Sequence, residues 1–140
     1  MYNDPKMPYH QLYYHIVWGV KQRLPLLRPE YEAAVYKIIA QKIEDVGGRM
    51  LAVGNTTDHI HLVASLSPVY ALARVIGMIK GSTSHYINHV LDPDANFAWK
   101  NEYGLFTVSP TEVPRIIAYV QYQKAHHREG KILPGFEMDG

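Results

Sequence analysis

Apolar positions along this chain change their spacing from two to nearly four and back, and each change predicts an element boundary. After a polar N-terminal arm at 1–8, residues 9 to 18, "YHQLYYHIVW", are dense in aromatic and β-branched types and predict a strand. "KQRLPLL" predicts a loop, because Pro25 lacks the N–H that a central strand must donate. From Pro29 to Val46 the positions Val35, Ile38, Ile39, Ile43 and Val46 recur at helical spacing, and Gly47-Gly48 supplies the stop. Residues 49–54 predict a second strand, joined through the turn-prone "NTTD" to a third, "DHIHLVASL" at 58–66, so the two form a hairpin. Ser67 as cap and Pro68 at the first helical position predict a helix start, with Leu72, Ile76 and Ile79 carrying it toward Asn88. "LDPDAN" is a loop, "LFTVS" at 105–109 a brief strand, and a last helix runs from about Thr111 to Arg128 before Gly130. Pro114 is tolerated because it falls in the first turn, where backbone donors lack intrahelical partners.

The order is β-α-β-β-α-β-α, without internal repeats. Two split β-α-β units predict an α+β, ferredoxin-like antiparallel sheet with two helices on one face and an additional C-terminal helix. Side chains alternate along a strand, so the first two helices should cover Ile60, Leu62 and Ala64. His59, His61, Val63 and Ser65 then share the other face, which the last helix or a partner chain must cover. At 140 residues and 47% hydrophobic, the whole of 1–140 reads as one domain, large enough to bury a core unaided.

Composition narrows the chemistry. There is no cysteine, which excludes a disulfide framework and a thiolate metal site and suits a reducing cytoplasm. The first apolar run, "LYYHIVWGV", is too short and too interrupted by His15 for a membrane span or a signal-peptide core, so a soluble, cytoplasmic chain is expected. A net charge of +1 gives bulk charge no say about a nucleic-acid partner. The eight histidines say more, because six of them fall in pairs at 59/61, 85/89 and 126/127.

Two imidazoles side by side on one strand face suit a metal ion better than a core. In the last helix, "IIAYVQYQKAHHREG", Tyr119 and Gln123 are four apart and lie on one edge, with His127 one turn further. Folded over the open sheet face, that edge brings Gln123, or alternatively His127, beside His59 and His61 as a third ligand. Such a site keeps coordination positions open, as catalytic metals require, and mixed nitrogen and oxygen donors suit Mg²⁺ or Mn²⁺ when a phosphate completes the shell. A phenol with an ordinary pKa of about 10 is a weak nucleophile, and a cation that polarises a phosphodiester would help its attack. Attack by Tyr119 exchanges one phosphodiester for another, so rejoining needs no ATP; no Gly-rich phosphate loop is present.

"DHIHLV" on a strand, followed some sixty residues later by "YVQYQKAHH" on a helix, resembles the HUH single-tyrosine transposases of small bacterial insertion sequences. The likeness extends over "YHIVWGVKQRLPLL", "IKGSTSHYIN" and "WKNEYGLFTVS", and so over nearly the whole chain. It implies a homodimeric, metal-dependent nuclease and strand transferase acting on single-stranded DNA with hairpins at the element's ends, through a covalent 5′-phosphotyrosine. By motif match Tyr119 is the nucleophile, His59 and His61 are the first two ligands and Gln123 the third, and the tyrosine helix can serve the histidine pair of the other subunit. Tyr122 stands where many relatives have Asn, and is the alternative nucleophile.

Lys21, Arg23 and Arg28 form a basic loop suited to a DNA backbone, and Lys80, Ser82 and Ser84 beside Gly81 are candidates for phosphate or hairpin contact or for plain helix surface. Phe97, Trp99, Tyr103 and Phe106 serve either as stacking platforms for bases or as core. Asp58 is expected to serve the turn rather than orient an imidazole, since alternation places it off the histidine face. His15, His85 and His89 are expected to be structural. The competing functional readings are a non-catalytic nucleic-acid-binding module of the same fold, and a metal-dependent phosphoester hydrolase in which water attacks.

Overall fold

The computed structural model describes residues 10–123. Its main elements follow the expected order: β1 Tyr13–Gly19, α1 Glu32–Asp45, β2 Arg49–Asn55, β3 His59–Ser65, α2 Leu72–Tyr86, β4 Gly104–Val108 and α3 Val113–Gln121. The four strands form one antiparallel sheet in the order β2-β3-β1-β4. Each helical crossover skips a strand position, which leaves β1 and β3 central and makes the architecture α+β and ferredoxin-like, with α3 as the extra helix.

One face of the sheet carries the main core. Ile60, Leu62 and Ala64 of β3 and Ile16 and Trp18 of β1 pack under Val35, Ile39 and Ile43 of α1 and Val75, Ile76 and Ile79 of α2. Full burial of each large aliphatic side chain contributes about 1.5–3 kcal/mol, which makes this layer the principal stabiliser. Phe97 and Trp99 belong to it: Trp99 meets Trp18 edge-on at 5.8 Å and donates its indole N–H to Thr83 Oγ1 at 2.9 Å. These two aromatics are therefore core, and of the four candidates for base stacking only Tyr103 and Phe106 are left partly exposed.

The opposite face holds a smaller cluster, Ala52 and Val63 of the sheet against Ile116, Tyr119 and Val120 of α3. Gly54 sets how closely that helix approaches. A Cβ added there would lie 2.0 Å from the carbonyl oxygen of Val120 and 3.5 Å from Cβ of Gln123, so only glycine admits the end of α3 at this distance.

Three boundaries differ from expectation. The Ser67-Pro68 pair does not start α2; Ser67 Oγ accepts from the Val69 N–H at 3.2 Å, closing a local turn, and the helix begins at Leu72. Serine side chains stabilise such turns as readily as they cap helices. Beyond Tyr86 the chain continues through a π-helical turn, Ile87–Leu91, where the Asn88 amide bonds both the N–H and the C=O of Phe97 at 2.8 Å. The last helix starts at Val113 rather than Thr111, because residues 109–112 form a turn closed by Glu112 N–H to Ser109 C=O at 2.9 Å. The stretch 124–128 expected to continue it, with His126 and His127, lies outside the described residues, as does the arm at 1–8. No described helix is long and apolar enough to cross a membrane.

Candidate metal and tyrosine site

The register of β3 builds the site. His61 lies between Gly54 of β2 and Val17 of β1, and His59 opposite Gly19, so both imidazoles stand on the α3 face among residues too small to crowd them. Their ring centroids are 5.1 Å apart. Tyr119 of α3 meets His61 edge-on at 5.9 Å. His61, His59, Tyr119 and Gln123 are 0%, 4%, 3% and 1% exposed, whereas Tyr122 is 64% exposed on the far side of the helix. The structure thus brings together His59, His61, Tyr119 and, through the Gly54 contact, Gln123, and it leaves Tyr122 out.

Each imidazole is held at Nδ1. His59 Nδ1 is 2.7 Å from Asp58 Oδ1 and 2.8 Å from Thr56 Oγ1, and the Thr56 hydroxyl donates to the same carboxylate at 3.1 Å. A carboxylate cannot donate, so the proton is assigned to His59 Nδ1, which places the lone pair of the neutral ring on Nε2. This corrects the turn role expected for Asp58. The residue precedes the first strand position, so strand alternation does not govern its side chain, and it turns back onto the next residue's ring. Burial pushes its carboxyl up, but the hydrogen bonds to His59 and Arg23 and the charge of the Arg23 guanidinium outweigh this and hold it below the usual carboxylate range.

His61 Nδ1 is 2.8 Å from Nε2 of His15, a ring 1% exposed that stacks on it at 5.0 Å and 23°. The expectation of a purely structural His15 is corrected as well. His15 pairs with Val63 across β1 and β3, which makes it the diagonal neighbour of His61 on the same face.

Arg23 reaches the site from the loop after β1. Its Nη2 lies 3.3 Å from Asp58 Oδ1, and Gln22 and Arg23 take left-handed conformations, φ 59 and 53, which cost roughly 1–2 kcal/mol each in non-glycine residues. The loop is held there by Val20 N–H to Asp58 C=O and Leu27 N–H to Thr57 C=O, both 2.8 Å. Lys21 is exposed beside it. Lys80, Ser82 and Ser84 lie on α2, against the opposite sheet face, and are not part of this site. The Lys80 ammonium donates to the backbone carbonyls of Lys100, at 2.5 Å, and Asn101, at 3.1 Å, so it organises the 100–102 loop, while Ser84 donates to Gly81 C=O at 3.2 Å. The exposed rings of His85 and His89 lie 4.3 Å apart, tilted by 30°.

Alongside α3, a groove of about 320 Å³ opens over the β1–β4 half of the face, lined by His15, Phe106, Val108 and Ile116 with Glu112 and Arg115 at its rim. His15 is thus both a wall of this groove and a neighbour of His61.

A fold carrying histidines and a helix-borne tyrosine on one sheet face defines a class, and comparison with known proteins agrees with it. Residues 8–123 match the family model described as "Transposase IS200 like", and the chain belongs to that family. It is 26% identical over 126 residues to the ISDra2 transposase TnpA of Deinococcus radiodurans, covering 86% of this chain and 88% of that one. A crystal structure assigned to a transposase of Deinococcus radiodurans R1 superposes with a TM-score of 0.66 at 23% identity, over 88% of this chain and 98% of that chain. A REP-associated tyrosine transposase bound to a REP hairpin superposes with a TM-score of 0.64 at 14% identity, over 90% and 74%.

Proposed function

We propose that this chain is a metal-dependent transposase that cleaves and rejoins single-stranded DNA beside hairpins, with Tyr119 as nucleophile. The observation that carries the reading is the meeting of the phenol of Tyr119 with the His59–His61 pair on one buried face, 5.9 Å from ring to ring at His61. Two imidazoles each held at Nδ1 leave Nε2 as the atom that would meet a cation, the arrangement in which histidine binds metals, and Gln123 would add an amide oxygen. A bound Mg²⁺ or Mn²⁺ would supply Lewis-acid polarisation of the scissile phosphate.

Tyr119 Oη attacks phosphorus; the O–P bond to tyrosine forms as the bond to the 3′ oxygen breaks, leaving a 5′-phosphotyrosine and a free 3′-hydroxyl. The phenol gives up its proton and the departing 3′ oxygen gains one. A 3′-hydroxyl attacking the phosphotyrosine reverses the exchange and joins a strand without ATP. Arg23, whose Nε is buried with no hydrogen-bond partner among the described residues, has a donor to offer a phosphate oxygen. The groove beside His15 offers the strand a path, with Phe106 as a stacking surface. Because Tyr119 and His61 are both buried, admitting a phosphate requires α3 to shift, which accords with a homodimer whose tyrosine helices serve either subunit.

The hairpin partner is supported by the REP hairpin in the neighbouring transposase complex. Incubation with single-stranded hairpin DNA and Mg²⁺ or Mn²⁺ should give a protein–DNA adduct stable to denaturing electrophoresis, lost in Tyr119→Phe. Tight DNA binding with no adduct on any hairpin substrate would instead mark a non-catalytic binding module.

A further inference from the structure

We infer that His15 is a positioning residue of this site: it accepts the Nδ1 proton of His61 and so fixes the tautomer that presents His61 Nε2. The inference rests on the metal reading above for the direction of the proton, and on geometry for the contact itself. Within a 2.8 Å contact between two imidazole nitrogens, one must donate and the other accept. If His61 Nδ1 donates, its lone pair is on Nε2. If His15 Nε2 donates instead, His61 carries its proton on Nε2 and cannot bind a cation there without first exchanging tautomers.

Packing does not account for the pair. His15 and His61 are 1% and 0% exposed beside Val63, Ile116 and Val120, where two aliphatic side chains would fill the space without the cost of desolvating polar rings. His59 meets Asp58 at Nδ1 and His61 meets His15 at Nδ1, so the two candidate ligands are oriented at the same atom by different groups. His15 is also held in place: its backbone lies in the central strand, paired with Val63 on one side and Phe106 on the other, and its ring lies 5.9 Å from that of Phe106. A rigid acceptor on a central strand limits the rotation of His61 more tightly than a water or a loop group would.

The test uses the full chain. In the metal-free wild-type protein, long-range ¹H–¹⁵N correlation of the histidine rings should report His61 as the Nδ1–H tautomer; an Nε2–H tautomer overturns the inference. Titration with Mn²⁺ should then show His15→Leu binding about 10- to 100-fold more weakly than wild type, the usual effect of losing an outer partner of a metal-binding histidine. His15→Gln, whose amide oxygen can accept the same proton, should restore most of that loss. Equal Mn²⁺ affinity in wild type and His15→Leu, with both variants folded by their thermal transitions, also overturns it. Should wild type bind no metal at all, the metal reading fails, while the tautomer measurement still decides the role of His15.

Discussion

Replacing Gly54 by alanine puts a methyl carbon 2.0 Å from the carbonyl oxygen of Val120, against backbone that no rotamer change can move aside. Ordinary contact begins at 3.4 Å, so α3 and β2 must separate by about 1.4 Å where Tyr119 and Gln123 face the imidazoles. Overpacking of this kind typically costs about 1–3 kcal/mol, which for a chain of this size lowers Tm by roughly 3–10 °C. The effect on chemistry is larger, because a displacement of about 1 Å at a reacting group is enough for a rate loss on the order of 100-fold. The imidazoles stand on β3, across from Gly54, but Gln123 is carried by the moving helix, so Mn²⁺ affinity should fall too, by about 10- to 100-fold. Single-turnover adduct formation on a hairpin oligonucleotide, well below the variant's Tm, separates the two effects. A folded Gly54→Ala protein that forms adduct within threefold of the wild-type rate would refute the argument that this close approach positions the tyrosine.

Three other outcomes are expected. Phe106→Ala should weaken binding of single-stranded DNA about tenfold, the value of one lost stacking contact, without changing Mn²⁺ affinity; unchanged DNA affinity would remove the groove from the strand's path. Burial, and then the charge of Glu32, push the Tyr36 phenol up to about 12, and it donates to Asn55. A pKa raised on folding means that the native state holds its proton more tightly than the unfolded chain, so this contribution is complete below pH 10 and is lost as pH rises toward 12. Tyr36→Phe should therefore destabilise at pH 8 and converge on wild type in alkaline thermal melts; a constant gap across that range contradicts the assignment. Lys80→Met should leave adduct chemistry intact but speed hydrogen exchange around 100–102, since the ammonium anchors that loop through its carbonyls; unchanged exchange would argue against the anchor.

How much of this could be read from the sequence depends on the range of the interaction. The faces of β3 and the edge of α3 are local periodicities, so the split between Ile60, Leu62 and Ala64 on one side and His59 and His61 on the other, and the alignment of Tyr119 with Gln123, were legible from spacing alone. The partners of the imidazoles were not. His15 finds His61 through the diagonal register of β1 on β3, forty-six residues apart, and no local pattern encodes a cross-strand diagonal. Asp58 lies at the last turn position, where a one-residue difference in the strand boundary decides whether its carboxylate follows the alternation or folds back. Arg23 arrives through two left-handed residues, Gln22 and Arg23, in types that rarely adopt that conformation, so sequence alone gave only a basic loop. Lys80 looked available for phosphate because its helix face is polar, yet three consecutive carbonyls of a distant loop take up its donors.

The identity of the nucleophile tests the account most directly. Adduct trapped on a ³²P-labelled hairpin oligonucleotide can be digested and its phosphotyrosine located by tandem mass spectrometry. The account places the modification on Tyr119 and predicts none on Tyr122; a nucleotide attached to Tyr122, or cleavage with no protein-linked nucleotide at all, contradicts it.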